Sequence, residues 1–326
     1  MKIGVLSRNP GLYSTRRLVE VARKRGHTVL VIDTASVAVT VGEHRLSDRV
    51  RVVESLGRVN LPGLWTKYRG RVRTLPGVDG IIPRIGASIT YYGLAVVRQF
   101  EAMGVVSTAS SAGIASSRDK LQSLQVMAQA GLPIPKTAVI SRPEALYPAM
   151  EAVGGPPVVV KLIQGTQGRG VILAVNFNTT AAVLAKLRSY NRQALVQEYV
   201  AEAKGRDIRV IVVGDQCVAA MERIAPAGDF RANLHRGGTA VPHQLDTQTQ
   251  KLAIAAAQAH NLGVAGVDII QSNRGPLILE VNSSPGLEGI ETTTGINVAE
   301  HIIVYLETIY QQKSAAILTN DTRISS

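Results

Sequence analysis

The 326 residues, 45% of them hydrophobic, suffice for about two domains with real cores. Thirty-six Lys and Arg against 24 Asp and Glu give a formal charge of +12, which implies an anionic partner: nucleotide, acidic peptide, nucleic acid or an acidic membrane surface. No run approaches the about 18 apolar residues of a membrane span, Met1 to Pro10 lack a signal-peptide core, and the single Cys217 excludes an internal disulfide or a Cys-rich zinc site. With 4% aromatics, a base-stacking platform for single-stranded nucleic acid is poorly supplied. A cytoplasmic protein without redox chemistry is expected, with Cys217 as a buried strand residue.

In chain order, KIGVLS, STRRLVEVARKRG and HTVLVID predict a strand, a helix capped by Ser14 and stopped at Gly26, and a second strand, the βαβ unit of a parallel sheet. The first loop, RNPGLYS, has no G-x-G-x-x-G, which argues against a Rossmann oxidoreductase. From Val37 to Asp79 periodicity is poor and Arg45, Arg49, Arg51, Arg58, Lys67, Arg69, Arg71 and Arg73 cluster, as on a solvated surface or a binding patch. A strand ending near Arg84, a helix over ASITYYGLAVVRQFEAMG and a strand VVSTA close a first domain near residue 110.

Ser116 and Ser117 then precede a helix, RDKLQSLQVMAQAG, with Lys120 in its first turn and a stop at Gly131. A strand, a helix and the strand PPVVVKLI lead through Lys161 into QGTQGRG, where Gly165, Gly168 and Gly170 free the backbone to offer N–H groups to phosphate and Arg169 adds charge. The order is not that of a P-loop, and such a loop alone is a weak signal. A helix and the strand ALVQEYV follow. DIRVIVVGDQCVAAMERI predicts a hairpin turning at Gly214 and Asp215, whose alternation places Asp207 and Arg209 on one face. FRANLHRGG, with Arg231, Asn233, His235 and Arg236, is too polar for core and suits a site-forming loop; His235 alone is more often a hydrogen-bonded loop histidine than a catalyst.

Two β-branched runs, VAGVDII and PLILEVN, flank the turn formers Ser272 to Gly275. Asp268 and Glu280 are equidistant from Arg274 and so become cross-strand partners, with Asn282 on the same face. A solvated hairpin could carry such a pair. The apolar Ile269, Ile270, Leu277, Ile278, Leu279 and Val281 instead predict a buried hairpin whose two carboxylates and amide form a hard-oxygen site for Mg²⁺. A final amphipathic helix, NVAEHIIVYLETIYQQ, precedes a tail expected to be loose.

Taken together, Lys120, Lys161, the glycine loop, QEYV, Asp207, FRANLHRGG and the D…E-x-N hairpin resemble an ATP-grasp ligase, and within that superfamily the RimK-type α-L-glutamate ligases, which add glutamate to the C-terminus of a small-subunit ribosomal protein. The resemblance covers nearly the whole chain, from MKIGVLSRN to EVNSSPGLEGIE, with Val37 to Arg73 matching poorly. It implies a mixed α/β and α+β fold: a Rossmann-like N-terminal domain (1–110), then a two-lobed ATP-grasp fold (111–195 with the lid, 196–313 with the metal site) and a loose tail (314–326). It implies that Lys120 and Lys161 hold the α- and β-phosphates, that the loop of Gly165, Gly168 and Gly170 covers the β/γ end, and that Glu198 and Tyr199 offer backbone to adenine. Asp207 would serve the nucleoside, Arg231 and Asn233 the triphosphate, and Asp268, Glu280 and Asn282 two Mg²⁺ or Mn²⁺ ions.

Arg209 and Arg231 are the candidates for steadying an acyl phosphate, although Arg209 could equally be an ion-pair partner of Asp207. The implied partners are ATP, L-glutamate, an acidic protein or peptide C-terminus and further copies of the chain, with neither membrane nor nucleic acid required. Alternatives are an ATP-grasp ligase acting on a small molecule or carrier protein, and a non-catalytic basic nucleic-acid- or ribosome-binding protein.

Overall fold

The structure is a computed structural model that describes residues 1–39, 50–54, 71–74, 77–140, 142–163, 170–189, 193–232, 234 and 237–324. The chain divides into two compact units, Met1–Ser111 joined by the C-terminal segment from Asn297, and Ala112–Ile296.

The first unit has the predicted βαβ start: β1 (Lys2–Leu6), α1 (Tyr13–Lys24) and β2 (Thr28–Ile32). After β3 (Val37–Val39), β4 (Val50–Glu54) and β5 (Arg71–Thr74) come β6 (Gly80–Pro83), α2 (Thr90–Ala102) and β7 (Val106–Ser107). The parallel sheet has the order β2-β1-β6-β7. Ile3, Val5, Leu6, Ile81 and Ile82 are buried along adjacent positions, as in a parallel sheet covered on both faces. Where the sequence shows no clear period, β3, β4 and β5 form a separate antiparallel sheet. Arg51, Arg71 and Arg73 lie on its strands; Arg45, Arg49, Arg58, Lys67 and Arg69 lie outside the described residues.

One terminal expectation needs correcting: Ser14 does not cap α1, which starts at Tyr13 after Leu12, a residue without a side-chain cap. At the other end α9 (Val298–Ile324) continues past Ser314, where Ala315, Ala316 and Leu318 are strong helix formers, and Lys313 Nζ donates to the Gly104 carbonyl. α9, expected within the second lobe, packs on α1 and β7. There Arg25 forks onto Glu307 at 2.9 and 2.7 Å, and His27 Nε2 lies 2.6 Å from the same carboxylate.

The second unit begins with α3 (Ser111–Arg118), which crosses the boundary, and α4 (Lys120–Gln129). Ser116 and Ser117, expected to cap α4, lie inside α3. The cap is Asp119, whose carboxylate accepts from the Leu121 and Gln122 N–H groups at 2.9 and 3.0 Å. β8 (Thr137–Val139), α5 (Leu146–Ala152), β9 (Val158–Leu162), β10 (Val171–Ala174), α6 (Phe177–Ser189) and β11 (Ala194–Glu198) build an antiparallel sheet, β10-β9-β11-β8. Met150, Val158, Val160, Ala174 and Val196 form the core beneath α5 and α6.

β12 (Arg206–Val213), β13 (Gln216–Ile224), β14 (Thr239–Pro242), β15 (Val264–Ser272) and β16 (Gly275–Asn282) make a second antiparallel sheet, β14-β13-β12-β15-β16, with α7 (Thr247–Ala259) against β15 and β16 and α8 (Glu288–Thr294) beside β13. Cys217 on β13 is half-buried rather than buried, and its thiol is pushed up to about 11 by burial. Among the described residues no helix is long and apolar enough to cross a membrane.

Candidate active site

Both predicted hairpins form, and each contains the same irregularity. In the first, a two-residue turn at Gly214 and Asp215 pairs Val213 with Gln216, and an uninterrupted count would then oppose Asp207 to Glu222. One extra residue in β13, at Val218, shifts the register, and Asp207 faces Arg223. In the second, the turn is Asn273 and Arg274, and the same count would oppose Asp268 to Leu279. A bulge at Leu279 restores the pairing of Asp268 with Glu280 and of Gly266 with Asn282. Since β12 pairs Arg209 with Asp268, the row Arg209, Asp268, Glu280 crosses three strands on one face, with Asp207 and Arg223 one step along.

The side chains on this face interlock. Arg209 Nε donates to Asp268 Oδ1 at 2.7 Å and its Nη2 to Oδ2 at 2.6 Å. Arg223 Nε donates to Asp207 Oδ1 at 2.6 Å while its Nη2 lies 2.9 Å from Asp268 Oδ2, so one guanidinium bridges two carboxylates. Burial alone would raise the pKa of Asp268, only 6% exposed, but Arg209 and Arg223 more than reverse it and hold the group down at about 2. Asp207, which has the single bridging Arg223 as hydrogen-bond partner and feels the charge of Asp268, is instead raised by burial to about 6. Burial works against the charge of Arg223, and the two carboxylates outweigh it. Arg209 is thus the partner of Asp268, while Asp207 belongs to Arg223.

Lys161, next to last in β9, is pushed down to about 8 by burial, with Glu280, Asp268 and Asp207 favouring its charge and Lys120 opposing it. Lys120, the first residue of α4, is likewise lowered by burial and steadied by Glu280 and Asp119. Helix α4 and strand β9 therefore bring two ammonium groups to the acidic face of β12, β15 and β16, an arrangement suited to a polyphosphate that carries a cation. Gly170 ends the glycine loop at φ +74°, and a Cβ there would meet Leu162 Cδ1 at 2.3 Å, so only glycine lets the loop rejoin β9 so closely. Gly165, Gly168, Asn233, His235 and Arg236 lie outside the described residues.

Two expected positions also have partners within the protein. Arg231 forks onto Asp229, Nε and Nη2 each at 2.8 Å, and donates to the Val171 carbonyl at 3.2 Å, beside the end of the glycine loop. The Glu198 N–H donates to the Lys136 carbonyl at 2.9 Å as part of β11, and the Glu198 carboxylate accepts from Arg274 in the hairpin turn. Tyr199 follows, edge-on to Phe230 with centroids 6.1 Å apart. Arg223 was not expected. The signal was available in the charges: the uninterrupted count sets Asp207 against Glu222, a like-charged pair, and a slip of one residue repairs it.

Among the described residues no three His, Cys, Asp or Glu side chains are grouped so as to hold a metal ion by themselves. The hard-oxygen set is two carboxylates and an amide: Asp268 buried, Glu280 exposed, and Asn282 half-buried with Oδ1 accepting from the Ser284 N–H at 3.0 Å. Such donors fit Mg²⁺, which keeps several waters and takes phosphate oxygens rather than a full protein cage.

Residues 117–306 match the RimK-like ATP-grasp domain model, and residues 1–54 and 65–114 match the RimK PreATP-grasp domain model. The chain belongs to the RimK-like ATP-grasp family. Proteins named probable alpha-L-glutamate ligase from Ectopseudomonas mendocina and Pseudomonas aeruginosa are 48% and 49% identical over 94% of this chain and 95% of their own. This RimK-like ATP-grasp protein is accordingly an ATP-dependent ligase. Within the PreATP-grasp match only residues 55–64 fall outside, so the divergent stretch is shorter than Val37 to Arg73. The fold also matches the ATP-grasp ligase PsnB, in a complex with a precursor variant, Mg and ADP (TM-score 0.67, 20% identity, 94% of this chain and 97% of that one). A RimK domain ATP-grasp protein from Sphaerobacter thermophilus matches similarly (TM-score 0.67, 19% identity, 94% and 99%).

Proposed function

We propose that this RimK-like ligase joins L-glutamate through its α-amine to the C-terminal carboxylate of an acidic acceptor. The family resemblance points to a small-subunit ribosomal protein, and repeated addition would also make α-polyglutamate. The observation that carries the reading is the approach of Lys120 and Lys161 to the Asp268 and Glu280 face. The names of the relatives support glutamate, and the structure of PsnB with its precursor shows that this fold can take a peptide acceptor.

A carboxylate resists amines until one oxygen becomes a leaving group. The acceptor carboxylate oxygen attacks the γ-phosphorus of ATP, the bond from that phosphorus to the β-bridging oxygen breaks, and ADP leaves with the electron pair. The glutamate α-amine then attacks the acyl carbon, gives up its proton and expels phosphate. Lys120 and Lys161 place point charges against the phosphates. Arg209 and Arg231 steady the acyl phosphate and the tetrahedral oxyanion. Asp268, Glu280 and Asn282 would hold two Mg²⁺ or Mn²⁺ ions, which supply Lewis-acid stabilisation of the β- and γ-oxygens. A +12 chain would retain the growing acidic product.

Incubation with ATP, Mg²⁺, glutamate and a peptide ending in Glu, followed by mass spectrometry and nucleotide analysis, tests the reading. ADP and a ladder of glutamate additions are expected. AMP as product would overturn the acyl-phosphate step, and ADP without a ladder would reject this acceptor.

A further inference from the structure

Asp268 offers four lone-pair directions, and three are taken: two by the fork of Arg209 and one by Arg223. Asp207, Glu280 and Lys161 complete the charged surroundings of the group. A divalent cation on the remaining direction would stand against the Arg209 guanidinium, cation beside cation, in a place where water screens little. We propose that Arg209 and the divalent cation compete for Asp268, so that loading the site frees the Arg209 guanidinium for the anionic substrate. This rests on the reading of Asp268 as a metal ligand. Arg209 is therefore stored in a neutralising pair, and Arg223, bound also to Asp207, stays behind to hold the carboxylate in place.

The sign of one measurement decides the matter. If Arg209 merely orients Asp268 for the metal, its removal weakens cation binding; if it competes, removal tightens it. The test is Mn²⁺ titration of the full chain, without nucleotide, followed by electron paramagnetic resonance of free Mn²⁺. Arg209→Met is expected to bind at least about tenfold tighter than the native chain, as removal of a neighbouring positive charge implies. The same variant should turn over about a hundredfold more slowly, having lost a donor to the developing anion. Arg209→Lys, which keeps the charge but loses the fork and disturbs packing least, should tighten Mn²⁺ binding to a smaller degree and serves if the methionine variant does not fold. Equal or weaker Mn²⁺ binding in a folded variant overturns the competition. Glu280→Gln separates the two readings: if it binds Mn²⁺ like the native chain, the metal assignment itself fails, whereas weakened binding there with no tightening at Arg209 sinks the competition alone.

Discussion

Arg25 and Arg209 each fork onto a carboxylate with similar bond lengths, 2.9 and 2.7 Å to Glu307 and 2.7 and 2.6 Å to Asp268, yet the two pairs live in different surroundings. The side chains of Arg25 and Glu307 are 35% and 18% exposed, those of Arg209 and Asp268 17% and 9%. Water screens the first pair and makes its removal cheap. Around the second, the desolvation of the ions can exceed their attraction, so an apolar replacement of the whole pair would be at least as stable, whereas loss of one member leaves a buried charge. The first cluster fastens a helix. The second is a stability cost, and the proposed chemistry is what would use charges on that face.

The largest test of this contrast is Glu280→Gln. Glu280 is exposed, so its neutralisation should leave the denaturant midpoint unchanged while kcat falls about a thousandfold, the several kcal/mol that a metal-held charge supplies. Native turnover at saturating Mg²⁺ would remove Glu280 from the site. Asp268→Asn is the opposite case: two guanidiniums lose their anion, and chemical denaturation should show a loss of about 3–5 kcal/mol. Adding Arg209→Met to that variant should recover part of the stability and none of the activity; no recovery would mean that the pair is not the source of the cost.

A third test uses pH. Lys161 has a folded pKa of about 8, below its ordinary value, so its ammonium is present at pH 7 and lost as pH rises through 8. The kcat/KM for ATP should then fall about tenfold per pH unit above 8, and a flat profile from pH 7 to 9.5 would remove Lys161 from the phosphate site.

The smallest effect belongs to the exposed cluster. Glu307→Gln should cost about 0.2–1 kcal/mol in thermal denaturation and leave kinetics untouched. The hydrogen bond from Arg25 holds Glu307 below its ordinary carboxylate value against some burial, so its stabilisation is complete at neutral pH and fades as pH falls through the lowered pKa. Equal losses at pH 7 and well below that value would sever this link.

What could be read from residues alone follows a physical divide. The two hairpins announce themselves through β-branched runs around turn formers, but a count from the two-residue turn would set Asp268 against Leu279, and only the bulge there makes Glu280 its partner. α7 is hard to read because TQTQKLAIAAAQA has alanine where a helix stripe would show larger apolar groups, although Asp246 caps it by accepting from the Thr249 N–H at 2.7 Å. The helix caps at Ser14 and Ser116 failed because several hydroxyl residues stand close together and only the backbone path selects one. The convergence of Lys120 and Lys161 on Glu280 depends on how helix α4 and strand β9 meet the second sheet, which no local pattern carries. The partnership of Arg223 depends on a bulge.

Those bulges make the site a matter of parity. Side chains alternate in steps of two, so each returning strand, one residue out of step at its tight turn, is brought back into step before it reaches the charged row. Adding one residue between Leu279 and Glu280 would send Glu280 and Asn282 to the opposite face while leaving the turn and nearly every backbone bond as they were. Deleting Leu279 from that chain would restore them, because the added residue then takes the place of the bulge. A single-residue change in these hairpins thus acts as a frame error in three dimensions, and it has a compensating change on the same strand.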